Sequence, residues 1–182
     1  MTNTYISMLR GINVSGSNMI RMADLKKVYE GLGFERVVTY LNSGNVVFRC
    51  PETDGPELAR RIQAQIQESL GNKVPVLIRE LRDFARILAT NPFLSGRSED
   101  TGRLYVMFLS APPVPSNLAR LVKPAGCDEE FIPGEQEFFL FYPGGLGRAK
   151  LTTAWFERNL KVLTTTRNWN TVNALHKLAQ EQ

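Results

Sequence analysis

The chain has little of what marks several large classes of protein. Of its 182 residues only two are cysteine, Cys50 and Cys127, and only one is histidine, His176. Neither cysteine sits in CxxC or CxxH spacing, so a disulfide framework and a structural zinc site are not expected, and no cofactor is assigned. The longest uninterrupted apolar runs, Leu104–Leu109 and Phe138–Tyr142, fall far short of the roughly 20 residues that cross a bilayer, so no membrane is expected among the partners. Charge of one sign is also scarce: 22 basic against 18 acidic residues leave +4, spread over both halves. A dedicated nucleic-acid binder would concentrate its cations on one face. The start of the chain lacks a charged segment followed by a long apolar one, and a cytoplasmic location is expected.

What is there reads as an ordered series of short elements. Thr4–Leu9 is a strand, followed by a loop with Gly11 and Gly16 and a helix with Leu25, Val28 and Leu32 on one face, stopped at Gly33. Strands Val37–Leu41 and Val46–Arg49 are joined by Asn42-Ser43-Gly44-Asn45, residues that tolerate positive φ. Asp54 with Glu57 forms a capping box for a helix carrying Leu58, Ile62, Ile66 and Leu70, which Gly71 ends. Val74–Arg79 is a strand and Leu81–Thr90 a helix. The second half repeats this order: strand Leu104–Leu109, a short helix capped by Ser116 with Leu118, Leu121 and Val122 inward, strands at Glu129–Ile132 and Glu137–Tyr142, a helix capped by Thr152, strand Val162–Thr166, and a last helix opened by Asn168.

The fold class expected is therefore α+β: a duplicated ferredoxin-like arrangement, βαββαβ plus an extra helix, twice, with antiparallel sheets and helices on one face. The halves are 1–93 and 104–182, with 94–103 as linker. Right-handed crossovers give each sheet the order 4-1-3-2. That order sets the loop after the first strand beside the turn between the second and third, bringing Arg10, Asn13, Asn42, Ser43 and Asn45 together. In the second half it sets the loops after Tyr142 and after Thr166 at one end of the sheet.

Four ordered stretches, LRGINVSG (Leu9–Gly16), SGNVVF (Ser43–Phe48), YPGGLGRAKLT (Tyr142–Thr152) and TTRNWNT (Thr165–Thr171), resemble a bacterial family catalogued as domain of unknown function 1697. The resemblance runs from the first strand to the last helix. The family commonly has Gly-Gly-Lys where this chain has Ser15-Gly16-Ser17, and Ser where it has Ala149, so chemistry carried by that Lys or Ser does not transfer. The resemblance implies a duplicated ferredoxin-like fold and assigns no activity.

The glycine-rich stretch with Gly145, Gly147, Arg148 and Lys150 fails both the Walker pattern and GxGxxG. What remains is a flexible backbone, two cations and a helix start, where free N–H groups favour an anion. Arg167 can clamp a carboxylate or phosphate while Asn168 and Asn170 read polar edges. The alternative makes Asn168 an N-cap, Trp169 core, and Arg167 the partner of an acid. The acids Asp128, Glu129, Glu130, Glu135 and Glu137 are expected on a solvated edge rather than at a metal. Tyr5 and Phe48 stand where RNA-recognition sheets carry aromatics, but without their pattern, so nucleic acid is not expected on the sheet face. The aromatic strands of the second half read as covered on both faces.

Three functions stay open. The first is capture of an anionic, phosphate-bearing or nucleotide-like ligand through Arg148, Lys150 and Arg167. The second is an interaction or homodimerisation module built on the aromatic strands. The third, an enzyme of unknown reaction, has no readable nucleophile, base pair or metal set.

Overall fold

The computed structural model describes residues 2–14, 16–51, 54–95 and 100–182. Its elements run β1 (Asn3–Leu9), α1 (Met22–Gly31), β2 (Glu35–Tyr40), β3 (Asn45–Cys50), α2 (Gly55–Leu70), β4 (Val76–Glu80) and α3 (Leu81–Thr90). The same order then recurs as β5 (Leu104–Leu109), α4 (Pro115–Leu118), β6 (Glu130–Pro133), β7 (Glu137–Phe141), α5 (Thr153–Leu160), β8 (Thr164–Asn168) and α6 (Trp169–Gln180). The strands form two four-stranded antiparallel sheets, β2-β3-β1-β4 and β6-β7-β5-β8, which is the expected order read from the other edge. The protein is α+β, and no described helix is long and apolar enough to cross a membrane.

The chain divides into two compact units, Met1–Ile87 with Ala174–Gln182 (unit 1) and Leu88–Asn173 (unit 2). The expected linker falls partly on residues 96–99, outside the described residues, and short 3-10 turns at Pro92–Leu94 and Thr101–Arg103 flank it.

Local chemistry accounts for most element ends. Asp54 accepts a hydrogen bond from the Glu57 amide at 3.1 Å, and Gly71 closes α2 at φ 73°. Thr152 Oγ1 accepts from the Trp155 amide at 3.2 Å to start α5. The short helix α4 departs from expectation. It makes a single turn, and although Leu118 and Leu121 pack inward, Val122 is 76% exposed. Pro124 follows closely and biases the chain away from helix, so no second turn forms to carry Val122 inward.

In unit 1 the alternate residues Tyr5, Leu9, Val46, Phe48 and Val76 form one core with Leu25, Val28 and Tyr29 of α1 and Leu58, Ile62 and Ile66 of α2. The other face of the sheet, with Ile6, Met8, Val47 and Leu77, is buried as well. Unit 2 repeats the pattern: Met107, Leu109, Phe138 and Leu140 pack with Phe156 and Leu160 of α5, and Val106, Phe108 and Phe139 on the opposite face are also buried. At about 1.5–3 kcal/mol for each fully buried large side chain, these strands carry much of the folding free energy. Of the aromatics that motivated the interaction reading, Phe108, Phe138, Phe139 and Tyr142 are buried and Tyr105 and Phe141 are half-buried. Tyr5 and Phe48 stack at 5.9 Å in the core and offer no face to a nucleic acid.

Candidate functional site

At one end of unit 1 the loop after β1 and the β2–β3 turn lie together, as strand order requires. The Leu9 amide donates to Gly44 O at 2.8 Å, and the Asn13 amide group donates to Asn42 O at 2.8 Å and to Ile20 O at 2.9 Å. Asn13 Oδ1 in turn accepts from the Ile20 amide at 2.8 Å. Asn18 donates to Gly11 O at 3.1 Å. Asn45 is fully buried at the start of β3 and donates to Tyr40 O and Ser43 Oγ. Gly44 is obligatory here: at φ 76°, an added Cβ would stand 2.6 Å from Ile12 Cδ1 and 2.8 Å from Leu9 Cβ. Asn13 and Asn45 therefore act as fasteners, their polar atoms turned to the backbone. Asn42 is exposed and Arg10 half-buried beside them.

In unit 2 the loops after β7 and β8 share an end too. The Tyr142 amide donates to Arg103 O at 3.0 Å, and Asn168 Nδ2 donates to Gly102 O at 3.2 Å. Gly145, at φ 77°, begins a 3-10 turn over Leu146–Arg148. A Cβ at Gly145 would stand 2.8 Å from Arg103 Nη1, and one at Gly144 would stand 3.8 Å from Arg148 Cβ. Arg103 thus reaches this turn from outside, and Arg148 ends it. Gly147 and Arg148 are exposed, and Arg103 makes one long ion pair, 3.8 Å, with exposed Asp100.

The three cations expected to converge here do not. Arg167 lies in β8, paired with Val106, and points to the face opposite Asn168, which pairs with Tyr105. It is 7% exposed and donates to Thr165 Oγ1 at 2.8 Å and Thr166 O at 3.0 Å, and burial lowers its pKa to about 10. Successive strand residues face opposite ways, so β8's continuing through Asn168 separates Arg167 from the loop. Lys150 is exposed, but its Nζ donates to Gly126 O. Asn168 accepts the Asn170 amide at 2.9 Å ahead of α6, and Trp169 is buried, as the alternative reading has it. Asn170 is exposed.

The amides expected to receive an anion already hold one. Glu129, nearly fully buried, accepts from the Lys150 amide at 2.6 Å, the Leu151 amide at 3.3 Å and Cys127 Sγ at 2.6 Å. Burial pushes the Glu129 carboxyl pKa up, but the Cys127 thiol, both amides and the Lys150 charge outweigh that and hold it below its ordinary value. Burial, with Glu129 alongside, raises the Cys127 thiol pKa and so opposes a reactive thiolate. Glu137 is also buried, accepting from the Glu135 and Gln136 amides at 3.3 Å each. The expectation of solvated carboxylates fails for these two because a distant loop supplies amides to Glu129 and the β6–β7 turn folds its own amides onto Glu137. Cys50 lies in the unit 1 core with its thiol pushed up to about 11 by burial. Among the described residues no group of three metal ligands occurs. Sequence reasoning missed Arg103, which β5–β7 pairing and the Tyr142–Arg103 backbone bond bring to the glycine turn.

Strand order, two fastened loop ends and a glycine turn reached by Arg103 define a two-sheet α+β protein. A family model described as "Protein of unknown function (DUF1697)" matches residues 1–139, and the chain belongs to that family. The match ends within β7, so the stretches Tyr142–Thr152 and Thr165–Thr171 lie beyond it, and Ser15 of the Ser-Gly-Ser departure lies outside the described residues. No curated protein matches the chain. The solved structure of a conserved bacterial protein of Streptococcus pneumoniae, SP0830, is similar in fold at TM-score 0.74 and 24% identity, covering 98% of this chain and 99% of that one.

Proposed function

We propose that this is a cytoplasmic binding protein whose unit 2 captures a phosphate-bearing ligand at the Gly144–Arg148 turn, between Arg103 and Arg148. The observation that carries this reading is the approach of the Arg103 guanidinium to within 2.8 Å of the space that Gly145 leaves open. The Arg103 guanidinium beside Gly145, with Arg148 at the end of the turn, offers an anion charged donors next to accessible backbone. The competing Asp100 pair is long and exposed, so an anion displaces it at small cost. Lys150 and Arg167 drop out of the ligand set, held by Gly126 and by Thr165 and Thr166.

The repeated element order supports the finer fold reading, a duplicated ferredoxin-like arrangement of halves 1–93 and 104–182. Equivalent bonds recur at equivalent places: Leu9 to Gly44 and Leu109 to Gln136, Arg10 to Pro75 and Ser110 to Leu163. Arg79 and Arg167 each donate from Nη1 to the carbonyl of the preceding residue.

Calorimetry and thermal shift with inorganic phosphate and a panel of nucleoside phosphates test the binding reading. Saturable binding is expected, with Arg103→Ala plus Arg148→Ala weakening it about a hundredfold and Lys150→Ala leaving it unchanged. No saturable binding to wild type across the panel, or full binding by the double variant, overturns it.

A further inference from the structure

The polar loop end of unit 1 presents an apolar tip. Val14 is 61% exposed, Met19 66% and Leu41 54%, among the few large apolar side chains left in solvent. Each stands one residue from the hydrogen bonds that Asn13 makes: Val14 follows Asn13, Met19 follows Asn18, whose carbonyl accepts the Asn13 amide, and Leu41 precedes Asn42. The fasteners thus hold three exposed apolar residues on one support.

Leu41 sits at φ 58°, a conformation that a bulky L-residue adopts only at a cost and that Asn or Gly adopts readily. Its side chain is 54% exposed and is not among those packed against the unit 1 core, so core packing does not explain a leucine here.

Charge indicates what the tip meets. The segments Arg10–Arg21 and Leu41–Asn45 contain no acidic residue, and the first is bounded by Arg10 and Arg21. Arg21 is exposed at the start of α1 and makes no capping bond with its side chain. Three apolar side chains offer a few hundred Å² at most, below the roughly 800 Å² per partner of a stable protein interface. Shallow insertion into a lipid interface needs no such area when cations assist it. Two copies of this tip would bring like charges together.

We propose that the Val14–Met19–Leu41 tip docks on an anionic lipid surface, its apolar side chains entering the interface and the exposed Arg21 meeting the headgroups. This goes past the expectation of no membrane partner, which rested on the lack of a spanning segment; interfacial contact requires none.

Flotation with phosphatidylcholine vesicles, with and without phosphatidylglycerol, tests the proposal. Wild type is expected to float with anionic vesicles at low salt and to be released by high salt. Val14→Ser with Met19→Ser and Leu41→Asn should lower partitioning about tenfold or more. Arg21→Ser, which also supplies a capping hydroxyl, should lower it about fivefold on anionic vesicles only. A Met19→Trp protein should show a blue-shifted indole emission on binding, a readout independent of the other variants. Failure of wild type to float with anionic vesicles, equal flotation of the triple variant, an unshifted Met19→Trp emission, or self-association through the tip in sedimentation overturns the proposal.

Discussion

Unit 1 and unit 2 share a strand order but close their loops with opposite chemistry. In unit 1 the fasteners are neutral amides: Asn13 ties the first loop to the β2–β3 turn, Asn18 ties that loop to itself, and Asn45 holds the turn from beneath. In unit 2 the amide of Asn168 still ties one loop end, but carboxylates hold other segments. Glu129 holds the stretch before α5, Glu137 holds the β6–β7 turn, and Glu157 accepts the Thr164 amide at 2.8 Å ahead of β8. Asn45 and Glu137 even occupy the same place, the first residue of the sheet's third strand. An amide side chain both donates and accepts, so it can join carbonyls and amides at once. A carboxylate only accepts, but binds amides more strongly and titrates. One topology therefore gives two units with different responses to acid.

The sharpest break of this comparison is steric. Gly44→Ala adds a methyl group into Ile12 and Leu9 at positive φ, and a loss of about 4 kcal/mol is expected in urea denaturation. Gly145→Ala has the same backbone strain but meets only the flexible end of Arg103, and should lose about 1 kcal/mol. Equal losses would show that the two turns are packed alike.

Next comes the removal of fasteners. Glu129→Ala leaves one buried and one part-buried amide without an acceptor and should cost about 3 kcal/mol at pH 7, whereas Asn45→Ala should cost about 2 kcal/mol. Their pH dependence separates them further. The Glu129 carboxyl titrates below its ordinary value when folded, so its contribution is complete above about pH 4.5 and is lost as pH falls through the folded value. The penalty of Glu129→Ala should therefore shrink in acid while that of Asn45→Ala stays level. Hydrogen exchange offers the same contrast without mutation: the Lys150 and Leu151 amides should lose protection in acid before the Ile20 amide, which Asn13 holds. The smallest effect is a gain. Leu41→Asn relieves positive φ at an exposed site and should raise stability by about 0.5 kcal/mol in thermal unfolding.

Much of the architecture was legible because it is written in local signals. The capping pair Asp54 and Glu57, Gly71 at positive φ and Thr152 before α5 mark ends that depend only on near neighbours. The sheet order followed from chirality, and with it the meeting of Asn13 with Asn42. The site was legible only in outline. Reading β8 as ending at Thr166 made Arg167 a loop residue; the strand runs through Asn168, and alternation turns Arg167 to the other face. Glu129 and Glu137 carry no local mark of burial, because the amides they hold come from a distant loop and from the turn's own folding. Arg103 reaches Gly145 through pairing across the sheet, which no spacing along the chain encodes.

Helix α6 has a consequence for how the molecule is made. Its first residues belong to unit 2, but Ala174–Gln182 belong with Met1–Ile87 in unit 1. When a ribosome has delivered the chain as far as Asn173, it has delivered all of unit 2 while unit 1, begun first, still waits for its closing piece. Domains generally fold as units in the order of synthesis. Here the second unit to be started is the first to be complete along the chain, and the last piece of unit 1 arrives only with the end of α6.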